Sequence, residues 1–515
     1  MNGRSESQQS TPGQDLIRSL VTLLSTHGSP PSAVAAAGWA AAMAAAVTES
    51  TTPHPSTNRR IEDVMDAVDD DTAAYWSDQD QDNTWITQTP LNVAKAAEQI
   101  ALATADAFTA NPADMRASWA LAVGAAAAAE VIAESNANER PGRAVIAGGT
   151  IGQVDLIDVA DAHGCRVRTV HGRTLLDISS GLYNTPLGHR HPAPTIGMIA
   201  QASKVASVNP FVATSAIADR LANRILDLFD RPEWRVVFAG SGSEGIETAL
   251  RIALTASGPI VYARPGTFHG ITAGAASLSS HPAVRGPFPP SDIVRHQPIS
   301  EWRTPGVGVV EPAGITWGHP TLTSEEIGQL RRFRKAGGVV IVDEVLSGLG
   351  RTLWPGLTKA LNIPADIVVL GKGLANGIAP VSAVLVHPNL IDRIQDAGDL
   401  DHGHTHTNHP ASLGAAFGCL AALGELTHDP CTLGTSLDEA GIAAQCLGWL
   451  ATLDFPPTDR TRVSRALVDV GLLGHLPSMV DPIERLVIAP PLSTSKDDLA
   501  EMAHRLSAFL IQVRP

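Results

Sequence analysis

Short apolar runs alternate with helix-patterned segments over the second part of the chain. From about residue 156 onward, buried strands are predicted at 235–238, 259–262, 307–310, 339–342, 367–370 and 381–386. Residues with helical spacing lie between several of these runs, for example at 247–255 and 324–335. This alternation predicts an α/β fold, in which helices cover both faces of a mainly parallel sheet.

The first 140 residues follow a different pattern. They are rich in alanine, and helical spacing recurs at 16–24, 33–47, 93–108 and 119–133. This pattern predicts an all-helical N-terminal domain over residues 1–140. Its role is open between packing or dimer support and recognition of a partner, such as a carrier, a peptide or a substrate.

Composition narrows the class of protein. The chain has 515 residues, of which 44% are hydrophobic and 17% are charged, as in soluble proteins with more than one lobe. A formal charge of −15 argues against nucleic-acid binding. The alanine-rich stretches are too weakly apolar to predict a membrane span, and no signal peptide is expected. The excess of arginine over lysine and the abundant alanine are common in GC-rich bacteria.

The cysteines indicate a reducing compartment and no metal site. The chain has four, and their spacing matches no metal-binding motif: Cys165, Cys419, Cys431 and Cys446. Scattered thiols of this kind are typical of cytoplasmic proteins.

A lysine and an aspartate follow two of the predicted strands. Asp343 directly follows the run 339–342. Lys372 comes shortly after the run 367–370 and lies between two glycines. Ligands on parallel sheets bind beyond the carboxyl ends of the strands, so both side chains are expected at one site. The amine could form a Schiff base, and a carboxylate about 4 Å from a pyridinium gains roughly 4 kcal/mol at a dielectric near 20. This pair fits a pyridoxal 5′-phosphate (PLP) site.

Two further segments carry residue types that suit this cofactor. Residues 240–244 read Gly-Ser-Gly-Ser-Glu between a strand and a helix, where backbone N–H groups can approach a phosphate. Residues 266–272 contain Phe268, which could stack on a flat ring, and His269, which could hydrogen-bond near it. Taken singly, each segment is more typical of ordinary structure, namely a strand-to-helix turn, a core phenylalanine and a histidine with its hydrogen bonds satisfied in a loop.

In this order the motifs resemble those of the class III aminotransferases, which are PLP enzymes of fold type I. Asp-Glu-Val at 343–345 precedes Gly-x-Gly-Arg-Thr at 348–352, and Gly-Lys-Gly-Leu follows at 371–374. Similar agreement occurs at 171–177, 187–192, 311–312, 404–410 and 489–492. The resemblance runs from about residue 157 to the end. It implies a PLP-fold segment at 141–215, a large PLP-binding domain at 216–400 and a small α+β domain at 401–515.

The resemblance also implies roles for individual residues. Lys372 would be the Schiff-base lysine and proton shuttle, and Asp343 would pair with the pyridine nitrogen. Val345 and Phe268 would pack on opposite ring faces, with His269 close by. The phosphate would be bound by three residues, the last from the neighbouring subunit of a homodimer with shared sites: Gly242, Ser243 and Thr405.

Substrate binding is where the chain departs from the family pattern. Tyr183 and Glu311 are expected in the substrate pocket. Family members that bind an α-carboxylate often carry an arginine about ten residues before Pro490, but Ser-Met-Val occupies 478–480 here. Arg485 is the candidate replacement. Other departures are Ala313 after Glu311-Pro312, His406 in place of an aromatic residue, and a shortened segment at 411–453.

The expected activity is therefore transfer of an amino group from an amine donor to an aldehyde or ketone acceptor, which could be a biosynthetic intermediate. Two alternatives stay open from the sequence. One is another outcome on the same cofactor, namely an aminomutase, racemase, decarboxylase or lyase. The other is a non-catalytic scaffold with the N-terminal helices as its binding module. Product analysis separates the first alternative, and the colour of the purified protein separates the second.

Overall fold

The computed structural model describes residues 157–202, 204–279, 282–286, 291–314, 321–396, 402–427, 429–455, 460–476 and 484–513. The predicted helical domain at 1–140 lies outside these residues. Residues 152–201 and 205–515 belong to one compact unit, to which the following description refers.

The strands, in chain order, are β1 (Val159–His163), β2 (Arg166–Thr169), β3 (Thr174–Asp177), β4 (Arg235–Ala239), β5 (Val261–Ala263), β6 (Val294–His296), β7 (Val307–Val310), β8 (Val339–Asp343), β9 (Ile367–Leu370), β10 (Ser382–Val386), β11 (Gln445–Leu447), β12 (Leu450–Phe455), β13 (Leu472–Leu473) and β14 (Glu484–Ile488). The helices are α1 (Ser180–Tyr183), α2 (Pro192–Ala202), α3 (Ala216–Leu228), α4 (Gly242–Ser257), α5 (Ala273–Ser277), α6 (Pro282–Arg285), α7 (Ser324–Lys335), α8 (Leu357–Ala360), α9 (Pro388–Asp396), α10 (Pro410–Leu423), α11 (Thr432–Glu439), α12 (Arg460–Asp469) and α13 (Lys496–Val513). Two 3₁₀ turns lie at Ile299–Glu301 and Lys372–Ala375.

A mixed sheet forms the centre of the fold. Within the described residues its seven strands have the order β4-β10-β9-β8-β7-β5-β6. The neighbours from β9 to β6 are parallel, and β10 runs antiparallel to both β4 and β9. All residues of β7 to β10 are buried, which is expected when helices cover both faces of a sheet.

Alternate residues of the central strands enter two separate cores. Val340 and Val368 pack on the face that also buries α3 and α10. Ile341 and Ile367 pack on the opposite face, against Ile246 and other residues of α4. Each such buried Val, Ile or Leu contributes roughly 1.5–3 kcal/mol. This two-sided burial explains why the strands read as continuous apolar runs in the sequence.

The predicted elements coincide closely with the observed ones. The runs 307–310 and 367–370 are β7 and β9, and the helix predicted at 324–335 is α7. A capping box starts α7, in which Thr323 Oγ1 accepts from the Glu326 N–H and the Glu326 carboxylate accepts from the Thr323 N–H. The run predicted at 259–262 is displaced, because β5 begins only after Pro259, which has no N–H to donate.

Two smaller sheets involve the C-terminal part of the chain. Strands β11, β12 and β14 form an antiparallel sheet, and β1, β2, β3 and β13 form a second sheet. In the second sheet, Leu472 of β13 pairs in parallel with Leu176 of β3. The predicted segment 141–215 and the predicted domain 401–515 therefore share a sheet. None of the described helices is long and apolar enough to cross a membrane.

Candidate active site

The carboxyl ends of β8 and β9 bring Asp343 and Lys372 to the same edge of the sheet. Asp343 is the last residue of β8 and pairs with Val369 of the parallel strand β9. Lys372 begins the 3₁₀ turn two residues after β9 ends, and its φ is +40°. Non-glycine residues rarely adopt such a φ, and they do so mainly where the surrounding structure fixes a functional conformation.

The carboxylate of Asp343 is held by two donors. Its Oδ2 lies 2.8 Å from His269 Nδ1, and its Oδ1 accepts a 3.0 Å hydrogen bond from the Val345 N–H. The side chains of His269 and Asp343 are 0% and 5% exposed. A hydrogen bond from Nδ1 to a carboxylate fixes the imidazole tautomer. His269 Nε2 is then a buried nitrogen with no hydrogen-bond partner among the described residues.

The N-terminus of α4 lies beside this pair. Ser241 caps the helix by accepting from the Glu244 N–H at 3.2 Å, which leaves the N–H groups of Gly242 and Ser243 at the start of the helix. Ser243 Oγ accepts from the Ile271 N–H at 3.2 Å. Gly270 is the neighbour of Ile271, and a Cβ added to it would lie 2.5 Å from Ser243 Oγ. The two glycine-containing motifs therefore contact each other directly.

Val345 joins the helix N-terminus to the lysine turn. A Cβ added to Gly242 would lie 2.7 Å from Val345 Cγ1, and one added to Gly371 would lie 3.2 Å from the same atom. The absence of both side chains lets α4, the segment after β8 and the turn after β9 approach closely. This is a packing reason for glycine at each position.

Glu311 lies near enough to Asp343 for their charges to interact, and it contacts Phe268. The Phe268 N–H donates to Glu311 Oε2 at 3.4 Å, and the Phe268 side chain is half-buried. Burial raises the pKa of Glu311 well above its ordinary value, and the negative charge of Asp343 raises it further. Both effects favour the protonated form of the Glu311 carboxyl group.

The amine of Lys372 lies in a site that favours its neutral form. Burial lowers the pKa of Lys372, although Asp343 and Glu311 act in the opposite direction. Its Nζ lies 5.6 Å from the centroid of the Tyr183 ring. A lysine with a lowered pKa exposes a nucleophilic lone pair at a lower pH than a solvated lysine does.

Tyr183 has a partner that the sequence did not indicate. Its hydroxyl oxygen lies 2.6 Å from Nδ1 of His475, and burial raises the pKa of Tyr183. The one available signal was position, because His475 comes three residues before the segment 478–480, where the family pattern suggests an arginine.

Arg351 ties the Tyr183 turn to the C-terminal strands. Its Nη1 donates to the Pro490 carbonyl at 2.6 Å and to the Trp449 carbonyl at 3.2 Å. Its Nη2 donates to Ser180 Oγ at 2.8 Å. Burial lowers the pKa of Arg351 to about 10. The sequence identified this arginine only as part of the Gly-x-Gly-Arg-Thr motif.

Two further predicted site residues are Arg485 and Thr405. Arg485 lies on β14, and its guanidinium forms two hydrogen bonds with the Asp454 carboxylate, at 2.5 and 2.6 Å. Thr405 is exposed in a turn that is closed by the 2.9 Å hydrogen bond from the Thr407 N–H to the His404 carbonyl. The structure thus gives Arg485 a partner within the small sheet and leaves Thr405 on the surface.

The chemistry of these groups fits PLP. The site offers a lysine amine for an aldehyde, a fixed carboxylate for a protonated ring nitrogen, and a helix N-terminus for a phosphate. His269 Nε2, on the side of the imidazole away from the carboxylate, is buried and has no hydrogen-bond partner among the described residues, as would suit a polar group of a bound ligand. Among the described residues, no group of three or more His, Cys, Asp or Glu side chains is placed to hold a metal ion.

Comparison with known proteins assigns the chain to a family. The family model of class III aminotransferases matches residues 150–305 and 309–510. An acetylornithine aminotransferase of Streptomyces clavuligerus is 34% identical over 224 residues, which are 41% of this chain and 55% of that protein. The acetylornithine aminotransferase of Streptomyces coelicolor is 30% identical over 274 residues, 51% of this chain and 66% of that protein. The matches thus span 55% and 66% of the length of these two relatives. The omega-aminotransferase of Caulobacter vibrioides is 24% identical over 418 residues, 69% of this chain and 93% of that protein.

Solved structures share the fold. A transaminase from the marine bacterium Virgibacillus has a TM-score of 0.64 at 19% identity, covering 70% of this chain and 94% of its own. A PLP-bound amine transaminase from an uncultivated Pseudomonas species has a TM-score of 0.64 at 20% identity, covering 73% of this chain and all of its own. The family match extends over well more than half of the sequence, and the chain belongs to the class III aminotransferases, whose cofactor is PLP.

Proposed function

We propose that this chain is a PLP-dependent aminotransferase that moves an amino group from an amine donor to an aldehyde or ketone acceptor. The observation that carries the proposal is the meeting of Lys372, whose pKa burial lowers, with the His269-held carboxylate of Asp343 at the ends of two parallel strands. The names of the relatives, acetylornithine aminotransferase and omega-aminotransferase, support the same reaction class.

When bound, PLP supplies an aldehyde that takes up the donor's amino group and a ring that withdraws electrons from the reacting carbon. Lys372 Nζ is the base that removes the proton from the carbon bearing the amino group and returns a proton later in the reaction. Asp343 keeps the proton on the ring nitrogen, and His269 fixes the direction of the carboxylate. The ring would be held on its two faces and the phosphate at the start of α4 by the following residues: Phe268, Val345, Gly242 and Ser243.

The hydrogen bonds of two arginines favour substrates without an α-carboxylate. Arg351 donates to two carbonyls and a hydroxyl, and Arg485 pairs with Asp454. A substrate carboxylate could recruit either guanidinium only by breaking these buried bonds, and each hydrogen bond to a charged group contributes about 1.5–3 kcal/mol. We therefore infer an amine donor and a simple aldehyde or ketone acceptor. Tyr183 and Glu311 would line the space that these substrates occupy.

We also propose a cytoplasmic homodimer in which each site receives the partner subunit's Thr405. The support is the exposed position of Thr405, which a closed turn carries outward. Complementation tests it. Lys372→Ala and Thr405→Ala proteins are each expected to be impaired, and mixing them should restore one intact site per dimer. A mixture no more active than its components would show that Thr405 serves its own subunit or none.

The function itself is tested with the PLP-loaded full chain and single amines. We expect the visible absorbance of the cofactor to fall as the carbonyl product of the amine appears in equal amount. A carbonyl acceptor should then restore the absorbance. Lys372→Ala should abolish both changes, whereas Lys359→Ala, which alters a lysine paired with Asp230 on the surface, should not. A wild-type protein that takes up no PLP, or full-rate turnover by Lys372→Ala, would reject the proposal.

A further inference from the structure

Tyr183 and His475 form a hydrogen-bonded pair beside Lys372. The Tyr183 hydroxyl lies 2.6 Å from His475 Nδ1, and the two rings meet edge to face with centroids 5.7 Å apart. The two residues are 292 positions apart in the sequence. The Lys372 amine lies 5.6 Å from the centroid of the Tyr183 ring. The pair therefore adjoins the reacting amine without belonging to the cofactor contacts described above.

Both members of the pair are anchored to the same edge of the C-terminal sheet. Ser180, which begins the turn that carries Tyr183, donates from Oγ to the Ala489 carbonyl at 2.7 Å. The Val487 N–H donates to the His475 carbonyl at 3.3 Å. Tyr183 itself has a φ of +65°, a conformation that costs a non-glycine residue about 1–3 kcal/mol. The surrounding bonds therefore fix an otherwise unfavourable position for this ring.

The direction of the hydrogen bond follows from the chemistry of the two groups. Burial raises the pKa of Tyr183, so the hydroxyl keeps its proton, and it donates to Nδ1 in the His475 tautomer that leaves Nδ1 without a hydrogen. His475 then carries its own proton on Nε2. With its hydroxyl proton committed to His475, Tyr183 turns an aromatic face towards Lys372. Such a face favours apolar and aromatic groups.

We propose that His475 is a positioning residue for substrate selection, which holds the ring of Tyr183 beside Lys372 and so favours amines with an aromatic substituent over small aliphatic amines. The inference rests on the proposed aminotransferase function. Its physical basis is entropic. When the Tyr183 ring is already fixed before the substrate binds, binding does not have to order it, and that entropy is not lost. A tyrosine released from His475 could leave this position, and an aromatic donor would lose its packing surface.

The test compares benzylamine with propylamine as donors for the PLP-loaded full chain. Loss of one neutral hydrogen bond corresponds to roughly a fivefold effect. We expect His475→Leu to raise the KM for benzylamine about fivefold, with kcat changed less than about twofold, and to leave propylamine nearly unaffected. Tyr183→Phe should raise the KM for benzylamine to a similar extent. Because both changes remove the same hydrogen bond, the KM of the double variant for benzylamine should also rise about fivefold rather than about 25-fold.

His475→Asn is the matched control. Its amide oxygen can accept the Tyr183 hydroxyl proton from nearly the position of Nδ1, so it should recover the preference for benzylamine. The inference would be overturned if His475→Asn raised the KM for benzylamine as much as His475→Leu does. It would also be overturned if the two KM increases multiplied in the double variant, or if the KM rose equally for both amines. If His475→Leu fails to fold, Tyr183→Phe and His475→Asn still decide. An inactive wild-type protein would reject the proposed function and this inference with it. If the wild-type protein is active and the KM increases multiply in the double variant, only the inference is rejected.

Discussion

His269 Nδ1 lies 2.8 Å from Asp343 Oδ2, and both side chains are buried at the end of β8. The motifs in the sequence predict contacts of both residues near a cofactor ring. The structure adds that the histidine holds the aspartate, whose second oxygen accepts from the Val345 N–H. A buried carboxylate with two donors keeps its direction, and a third acceptor site remains for a ligand.

Asp343→Asn tests the charge of this carboxylate while keeping its shape. A charge about 4 Å from a pyridinium contributes roughly 4 kcal/mol at a dielectric near 20, and 1.4 kcal/mol is a factor of ten. We therefore expect kcat to fall by up to about 1000-fold at saturating PLP. Asp230→Asn, in a surface ion pair with Lys359, is the control and should leave kcat unchanged. A loss of less than about tenfold would contradict the assigned role.

Gly270→Ala tests the contact between the two glycine-containing motifs. Gly270 has a φ of +128°, and the new Cβ would lie 2.5 Å from Ser243 Oγ, so Ser243 and the start of α4 must shift. We expect the Kd for PLP, measured by equilibrium dialysis, to rise at least about tenfold, which corresponds to 1.4 kcal/mol.

Gly258→Ala is the control for Gly270→Ala. Its φ is +113°, but a Cβ there meets no atom within 4 Å. Both changes add backbone strain, typically about 1 kcal/mol or more, yet only the first should weaken PLP binding. Equal Kd values for the two variants would show that Ser243 is not part of the phosphate site.

The strands and the reactive pair could be predicted because their signals are local. Strand β8 ends in Asp343 and β9 leads to Lys372, so alternation and motif order were sufficient for both. The direction of β10 could not be predicted, because an apolar run buried on both faces has no marker of polarity. Strand β13 has only two residues, too few for any period.

The partners of site residues were harder to predict, because they lie far apart in the sequence. Tyr183 meets His475, and Arg351 meets Pro490 and Ser180, through contacts that only the folded chain creates. Arg485 is a similar case. Its position in the sequence predicts a substrate contact, which stays a prediction, and the pairing with Asp454 on the adjacent strand is visible only in the fold. A single sequence contains no period or spacing that encodes such pairs.

Arg351→Lys tests the hydrogen bonds by which Arg351 connects the turn of Tyr183 to the C-terminal strands. A lysine keeps the charge but cannot reproduce the fork that binds two carbonyls and Ser180 Oγ. We expect the free energy of unfolding, measured in urea, to fall by about 3 kcal/mol. Arg331→Lys, which alters a single bond to the Asn362 carbonyl on the surface, should change it by less than about 0.5 kcal/mol. If the two substitutions lowered the free energy of unfolding equally, the stabilising role of the Arg351 hydrogen bonds would be refuted.

Glu311→Gln tests the raised pKa of a buried acid. Because the folded pKa lies above the unfolded value of 4.5, this group favours folding below pH 4.5, and that contribution is lost as pH rises through the folded pKa. Glutamine stays neutral and can still accept from the Phe268 N–H. Without bound PLP, the variant should therefore gain stability over wild type in urea unfolding as pH rises from 5 to 8. The exposed Glu301→Gln should show no such trend, and a constant difference for Glu311→Gln would exclude this explanation.

Lys372→Met tests how much the buried amine of Lys372 destabilises the folded protein without bound PLP. Burial lowers the pKa of Lys372 below its unfolded value of 10.5, so the unfolded chain binds more protons and the charged amine destabilises the folded protein at neutral pH. This penalty is complete below the folded pKa and disappears as pH rises to 10.5. Lys372→Met should therefore be inactive yet more stable than wild type in urea at pH 7, with a difference that shrinks by pH 10. The exposed Lys359→Met should not be stabilising. A Lys372→Met protein less stable than wild type at pH 7 would mean that the attraction of Asp343 and Glu311 outweighs desolvation of the amine.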